Sequence, residues 1–279
     1  PANYGGVIDV YYKAKALHDI GVRVHLHCFE YGRARAVELG QVCETVHFYE
    51  RHTGKHQLLN SLPYVVVSRR SDELVDRLLG DDHPIIFEGL HSCYHLGDPR
   101  LSNRKRYVRT HNVEHDYYEG LANAERGTFK RTYFVNEARK LKKFEPVLSE
   151  ADGIFTISPN DQRYFSQHFR NARQVPAFHS NDRVDVPSGL GDFCFYHGAL
   201  GVPENDQAAL YLVREVFKGL PIPLVIAGSG ASSELKSAVA KSNNVKLREH
   251  LPTEEITALV KAAQVNVLPT FQATGIKLK

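Results

Sequence analysis

Short runs rich in β-branched and aromatic residues alternate with stretches of helical periodicity along almost the whole chain of 279 residues. This alternation predicts right-handed βαβ crossovers, which place the strands in parallel sheets covered by helices. The predicted strands are residues 22–29, 44–49, 84–87, 107–110, 153–157, 193–197, 223–227, 245–248 and 265–268. The predicted helices are residues 7–17, 71–79, 114–150 as one helix or two, a segment opening at Ser158-Pro159, 204–217, 232–240 and 253–263.

The alternation is interrupted between His179 and Asp192 by a polar stretch that is rich in Gly and Pro. Such a stretch is typical of a linker. We therefore expect an α/β protein of two Rossmann-like domains, residues 1–185 and 186–279, whose parallel sheets face each other across a cleft. Ligands of open α/β sheets bind beyond the carboxyl ends of the strands, so the residues directly after each strand are the functional candidates.

Composition excludes several classes of protein. The 35 basic and 32 acidic residues give a formal charge of +3, which is too balanced for a dedicated nucleic-acid binder. No apolar run approaches the roughly 20 residues that cross a bilayer. The four cysteines (Cys28, Cys43, Cys93 and Cys194) are widely separated. Their spacing indicates neither a zinc site nor a disulfide framework, and favours a reducing cytoplasm.

Two glycine pairs stand where a predicted helix begins. Gly5-Gly6 precedes the first helix, so backbone N–H groups there could receive an anion. Gly228 and Gly230 follow the strand 223–227 and open the next helix. Neither pair belongs to a G-x-G-x-x-G fingerprint, and glycines that relieve a tight turn are the alternative explanation.

His111 directly follows the predicted strand 107–110, where an imidazole can reach a cleft. It is clustered with Asn112, Glu114 and His115, although a helix cap by Asn112 would explain part of this cluster. No H-E-x-x-H or comparable spacing indicates a metal site. We therefore regard His111 as the candidate catalytic residue and assign no metal.

The predicted second domain carries a possible diphosphate site. Gly198 follows the strand 193–197, and Gly275, Lys277 and Lys279 follow the last strand. Backbone N–H groups and ammonium groups together can clamp a diphosphate. The alternative is that the two lysines are simply solvated. The basic runs 103–109 and 139–143 are typical of solvated faces, and contact with an anionic membrane surface is a second interpretation.

Four segments together resemble the retaining glycosyltransferases of family 4, which have the two-domain GT-B fold: PANYGG, THNVEH, YHGAL-GVPEN-DQAAL and VNVLPTFQATGIKLK. The resemblance covers essentially the whole chain. It implies that Gly6 lies near the reacting sugar or the acceptor, and that His111 lies near the donor sugar. It also implies that Gly198 and Lys279 lie at the donor diphosphate, with Lys277 as a neighbour.

The same resemblance implies parts that this sequence does not contain. The family has a strand before the position of Pro1, and a pair of glutamates seven residues apart that would begin just past Lys279. The chain also has no methionine. We therefore expect a fragment of a bacterial protein, with an incomplete second domain and no activity of its own.

The expected function is hexosyl transfer from a nucleotide sugar to an acceptor hydroxyl with retention, in the biosynthesis of a glycan. Catalysis would be electrostatic, through charge stabilisation on the leaving diphosphate, without a cofactor. We expect a glycan or lipid-linked acceptor and a cytoplasmic location, with the inner face of a membrane as an option. Two alternatives stay open: a GT-B sugar-nucleotide epimerase, which needs carboxylates for acid–base chemistry, and a non-catalytic nucleotide-sugar-binding module.

Overall fold

The computed structural model describes residues 5–30, 32, 35–125, 127–181 and 183–271. These residues divide into two compact units, one built mainly from residues 5–123 and 127–180 and the other from residues 181–271. Each unit contains a four-stranded sheet whose strand pairs are parallel. The predicted α/β class with parallel sheets is therefore confirmed.

The first unit opens with helix α1 (Gly5–Asp19) and contains two sheets among its described residues. One is a parallel pair, and the other has the strand order β3-β4-β5-β6. Its strands are β1 (His25–Phe29), β2 (Thr45–Tyr49), β3 (Ile85–Glu88), β4 (Arg106–Thr110), β5 (Gly153–Thr156) and β6 (Ala172–Gln174). Its further α-helices are α2 (Tyr64–Val67), α3 (Asp72–Leu78), α4 (Glu114–Ala124), α5 (Thr128–Phe144) and α6 (Pro159–His168).

Local sequence explains where these helices begin. The hydroxyl of Ser71 accepts a hydrogen bond from the N–H of Leu74, and the hydroxyl of Ser158 accepts one from the N–H of Asp161. Both serines therefore cap a helix, α3 and α6, at its first turn. Pro159 follows Ser158 at the first helical position, where the missing N–H costs nothing.

The second unit has the strand order β10-β7-β8-β9. Its strands are β7 (Cys194–His197), β8 (Leu224–Ala227), β9 (Val245–Arg248) and β10 (Val265–Asn266). Its helices are α7 (Pro203–Tyr211), which continues as a π-helix over Leu212–Val216, α8 (Ser233–Ala240) and α9 (Thr253–Ala262). Buried apolar side chains such as Tyr196, Leu224, Ile226 and Leu235 form its core.

Two short elements are not among the predicted strands and helices. Residues 64–67 read Tyr-Val-Val-Val, which favours a strand, yet they form a helical turn that starts after Pro63. The N–H of Tyr64 donates to the carboxylate of Glu137 at 2.6 Å, so a tertiary contact outweighs the local preference. Strand β6 is short and polar (Ala-Arg-Gln), and nothing in its pattern predicted it.

One basic run is not a solvated face. Within residues 103–109, Arg104 and Arg109 are both buried. The guanidinium of Arg104 donates to the carboxylate of Asp81 at 2.6 Å, and that of Arg109 donates to the carboxylate of Asp9 at 2.8 Å. The interpretation of this run as a solvated face was wrong for Arg104 and Arg109, because both guanidinium groups are buried and each pairs with a carboxylate of the fold.

Candidate functional site

The candidate site begins at the carboxyl ends of two neighbouring strands. Strand β3 ends at Glu88, whose partner in the parallel register with β4 is Arg109. His111 is the first residue beyond β4, so its side chain lies at the same edge of the sheet as the Glu88 carboxylate. This placement matches the prediction that His111 stands at a strand end.

Helix α1 contributes two residues to this edge. Asp9 and Lys13 are four residues apart, so they lie on one face of the helix. The helix begins at Gly5, which corrects the prediction that Gly5-Gly6 precedes it: both glycines lie in the first turn. The first-turn N–H groups of a helix have no intrahelical acceptor, so this end of α1 keeps its capacity to receive an anion.

Asp9 and Arg109 form a buried ion pair. Nε and Nη2 of Arg109 donate to the two carboxylate oxygens of Asp9 at 3.0 and 2.8 Å, and both side chains are 1% exposed. The N–H of Phe178 donates to the same carboxylate at 2.8 Å. Burial alone would raise the pKa of Asp9, but these hydrogen bonds and the charge of Lys13 hold it below its ordinary value.

The remaining donors of Arg109 tie this pair to the end of β6. Its Nη1 and Nη2 donate to the carbonyl oxygens of Val175 and Pro176 at 2.6 and 3.0 Å. Arg109 therefore links α1, β4 and the segment after β6 through four hydrogen bonds from a buried position, two of them to Asp9.

Lys13 extends the chain of charges toward His111. Its ammonium lies 2.5 Å from Oε1 of Glu88 and 3.6 Å from Oδ2 of Asp9. The other oxygen of Glu88 lies 3.3 Å from Nε2 of His111. Burial raises the pKa of Glu88, but the hydrogen bond from His111 and the charge of Lys13 outweigh it and lower the pKa overall. An ionised carboxylate can only accept, so Nε2 of His111 carries the proton in this hydrogen bond.

Asp9, Glu88 and His111 each place one ligand atom within 4.8 Å of the others. These residue types bind divalent cations. Here, however, Arg109 and Lys13 already compensate the two carboxylate charges. The arrangement fits a chain of ion pairs that orients His111 better than it fits a metal centre.

His91 lies beside His111, with 6.3 Å between the ring centroids. It folds back over Gly89, which has φ = +78°, and a Cβ at that glycine would lie 2.4 Å from Cε1 of His91. Any side chain at position 89 would therefore displace the imidazole. Burial, together with the charges of Arg69, His111 and Arg51, lowers the pKa of His91 well below its ordinary value, so the ring is neutral at pH 7.

Glu114 is a second buried acid of this region, in the first turn of α4. Burial raises its pKa to about 7, against opposing effects from His111, Arg69 and Asn112. Asn112 therefore contacts Glu114, as the clustering in sequence indicated. His115 does not join them: its Nδ1 lies 3.4 Å from Glu145 and its Nε2 lies 3.3 Å from Asp116.

In the second unit, Gly198 and Gly228 follow β7 and β8 and lie against each other. A Cβ on Gly228 would lie 2.0 Å from the carbonyl oxygen of Gly198, so no side chain fits. Their N–H groups donate to the carbonyl oxygens of Ala227 and Arg248 at 3.0 and 3.1 Å. This corrects the expectation that these two N–H groups bind phosphate, because both are used within the sheet edge. Gly275, Lys277 and Lys279 lie outside the described residues.

Sequence reasoning missed Asp9, Lys13, Glu88, Arg109 and His91 as parts of the site. An Asp and a Lys at i, i+4 near the start of a helix read as an ordinary surface pair. Glu88 and Arg109 are the partners across β3 and β4, which only the strand register reveals. The segment Glu-Gly-Leu-His after β3 was the available signal for His91.

Helices that combine the length and apolarity needed to cross a membrane are absent from the described part of the chain.

No family model matches the chain. An uncharacterized 44.6 kDa protein in the cps region of Klebsiella pneumoniae is 26% identical over 301 residues, an alignment that covers 100% of this chain and 76% of that protein.

Two solved plant proteins are similar in structure. Phytolacca americana UGT2, solved with UDP-2fluoro-glucose and pterostilbene, has a TM-score of 0.52 at 11% identity, covering 95% of this chain and 74% of that one. Arabidopsis thaliana UGT89C1, solved with UDP, has a TM-score of 0.51 at 12% identity, covering 94% and 72%. The chain has parallel α/β sheets in a GT-B glycosyltransferase-like fold.

Proposed function

We propose that this protein is a glycosyltransferase that moves a hexosyl group from a nucleotide-diphosphate sugar to an acceptor hydroxyl, with retention at the anomeric carbon. Its fold is similar to that of UGT2, which was solved with a UDP-sugar. Retention and the hexosyl group follow from the resemblance of its motifs to family 4. The relative in the cps region supports a role in the biosynthesis of a glycan.

The observation that carries this proposal is the hydrogen bond between His111 and Glu88 at the carboxyl edge of the sheet. Glu88 holds Nε2, so Nδ1 of His111 is directed to a hydroxyl of the donor sugar. Lys13 pairs with Glu88 and also lies beside Asp9, the partner of Arg109. His111 thus positions the sugar, and we assign no protein nucleophile.

The diphosphate leaving group takes up negative charge during transfer, and its stabilisation supplies most of the catalysis. We assign it to the second unit, where Gly198 and Gly228 keep the ends of β7 and β8 free of side chains. Gly275, Lys277 and Lys279 are the proposed donors of N–H and ammonium groups. Gly5 and Gly6, at the start of α1, are proposed to face the acceptor or a phosphate. The scheme requires no cofactor.

The acceptor is proposed to be a glycan or a lipid-linked sugar, met at the cytoplasmic face of a membrane. Support comes from α5, whose exposed residues include Arg131, Arg139, Lys142 and Lys143. At 100° per residue these four side chains fall within an arc of about 120°. The single acidic residue of α5, Glu137, is buried on another side and pairs with Lys140.

Product analysis of the full-length protein, including any residues that flank this sequence, with a labelled nucleotide sugar tests the proposal. We expect a glycoside whose anomeric configuration, read from the proton coupling constant, equals that of the donor. A glycoside of inverted configuration would contradict retention but would leave the transferase activity standing. A labelled epimer would identify an epimerase, and binding of the nucleotide sugar without any product would identify a binding module.

A further inference from the structure

We infer that Leu59 and Phe129 enter the apolar part of an anionic bilayer, on a surface of the first unit that also carries the basic face of α5 (Arg131, Arg139, Lys142 and Lys143). The partner is thus the acyl chains of the lipid as well as the charge of its headgroups. That this bilayer holds the acceptor rests on the proposed function. The docking surface itself rests on the exposure and position of its side chains.

Leu59 and Phe129 are large apolar side chains that are almost fully in contact with solvent. They are 90% and 89% exposed, and Leu58 is 39% exposed. Leu59 ends a 3₁₀ turn, Lys55–Leu59, and Phe129 lies in the first turn of α5. Apolar area left in water in this way lowers the free energy when a partner covers it.

Both apolar positions lie on one border of the basic face of α5. At 100° per residue, Phe129 falls about 40° beyond Lys143, which is the last residue of the basic arc. Lys140 falls about 20° beyond Phe129, and its ammonium group donates to the carbonyl oxygen of Leu58 at 2.9 Å. The hydrogen bond places the 3₁₀ turn beside the same side of α5 that carries Phe129.

The charge of this surface fits an anionic partner. Residues 51–71, which include the 3₁₀ turn, contain the basic residues Arg51, Lys55, Arg69 and Arg70 and no Asp or Glu. The single acidic residue of α5, Glu137, is buried. Exposed basic residues are attracted to anionic headgroups, and a basic surface with exposed Leu and Phe is typical of proteins that lie in the membrane interface.

The surface is connected to the candidate site through α4. This helix begins at Glu114, three residues after His111, and α5 begins at Thr128, four residues after α4 ends. Its 11 residues span about 16 Å. A lipid-linked acceptor would therefore have about one helix length to cover between the bilayer and His111.

The test places a tryptophan at each position, because the sequence contains none. Leu59→Trp, Phe129→Trp and the control Ile20→Trp are made in the full-length protein, and their emission is read as the difference from the wild type. The vesicles contain phosphatidylserine and phosphatidylcholine brominated on its acyl chains, which quenches an indole inside the bilayer. Ile20 is 75% exposed and directly follows α1. We expect quenched and blue-shifted emission for Leu59→Trp and Phe129→Trp, and unchanged emission for Ile20→Trp.

Sedimentation with the same lipids without bromine measures the affinity. Leu59→Ser and Phe129→Ser should each weaken vesicle binding about tenfold or more, as loss of a buried apolar side chain does. The ratio to the wild type should persist in high salt, which screens the attraction of the basic residues but not the apolar contact. Ile20→Ser should bind as the wild type does.

Emission that responds alike at all three positions, or at none, would overturn the inference. A wild type that dimerises through Leu59 and Phe129, with no quenching by vesicles, would also overturn it by assigning the surface to a second copy of the chain. Insertion in a protein that forms no glycoside would refute the proposed function and leave the docking surface standing. A glycoside formed by a protein that does not insert would refute the docking surface alone.

Discussion

Glu88 and His111 are joined by a hydrogen bond of 3.3 Å between Oε2 and Nε2, and they come from the carboxyl ends of two adjacent parallel strands. This contact fixes the plane of the imidazole and the nitrogen that carries its proton. It also connects His111 to a series of alternating charges, Lys13, Asp9 and Arg109, that ends in the buried interior of the first unit.

Glu88→Gln should slow transfer and leave the affinity for the nucleotide almost unchanged. The amide keeps the shape of the side chain, but it releases Lys13 and presents a donor as well as an acceptor to His111, so the imidazole loses its fixed orientation. We expect kcat to fall roughly 10- to 100-fold, which is the size of loss that a misplaced catalytic group causes. Transfer kinetics and calorimetry with UDP check this. An unchanged kcat, or a loss confined to UDP affinity, would contradict the positioning role.

Asp9→Ala should destabilise the fold much more than the loss of an exposed pair on the same helix. Removing Asp9 leaves Arg109 buried without its countercharge, which costs about 3–5 kcal/mol in comparable cases. Asp19→Ala is the control, because Asp19 pairs with Lys15 at 2.6 Å on the exposed side of α1 and should cost less than about 1 kcal/mol. Urea unfolding measures both. Equal losses would mean that the buried pair contributes nothing beyond a surface pair.

Much of this fold could be predicted from the alternation of strands and helices, because each sheet is parallel and its paired strands are consecutive in the chain, except that β10 pairs with β7. The position of His111 followed from the same pattern, since a residue directly after a buried strand must lie at the sheet edge. The partners of His111 could not be predicted. Lys13 is 98 residues and Glu88 is 23 residues away along the chain, and only the packing of α1 against β3 and β4 brings them together.

Glu114 should make stability fall as the pH rises. Its pKa in the folded state is about 7, above the ordinary value of 4.5, so the folded state holds more protons than the unfolded state between these pH values. The stabilising contribution is therefore complete below about pH 4.5 and is lost as the pH rises through 7. In Glu114→Gln this loss, on the order of a few kcal/mol, should disappear.

The measurement is chemical unfolding of both proteins at pH 5 and pH 7.5. Glu119→Gln is the control, because Glu119 is exposed on the same helix and should leave the pH dependence as in the wild type. A pH dependence in Glu114→Gln that equals that of the wild type would show that Glu114 titrates normally.

Gly228→Ala should disturb the sheet edge of the second unit. The new methyl group would meet the carbonyl oxygen of Gly198 at 2.0 Å, and backbone atoms must shift to make room. We expect a loss of about 1–3 kcal/mol in stability, together with weaker UDP binding. Gly201→Ala is the matched control on the facing turn, where the nearest atom would lie 3.9 Å away. Similar behaviour of the two variants would show that the close approach is not required.

Neutralising the basic face of α5 should weaken binding to anionic membranes. Lys142→Gln with Lys143→Gln removes two exposed charges, each worth about 1 kcal/mol near an anionic surface, so vesicle affinity should fall roughly 30-fold at low salt. Vesicles containing phosphatidylserine and vesicles of phosphatidylcholine alone are compared by sedimentation. Lys15→Gln with Lys236→Gln, two exposed lysines on other helices, is the control. Equal losses for both double variants would indicate nonspecific attraction.

The most direct test of the central claim is a double-mutant cycle on the transfer rate, with wild type, Glu88→Gln, His111→Ala and the double variant. If Glu88 acts by orienting His111, the double variant should be no slower than His111→Ala, so the two effects on the activation free energy are not additive. Its UDP affinity should match that of the wild type. Fully additive losses in kcat, or wild-type turnover in His111→Ala, would contradict the account.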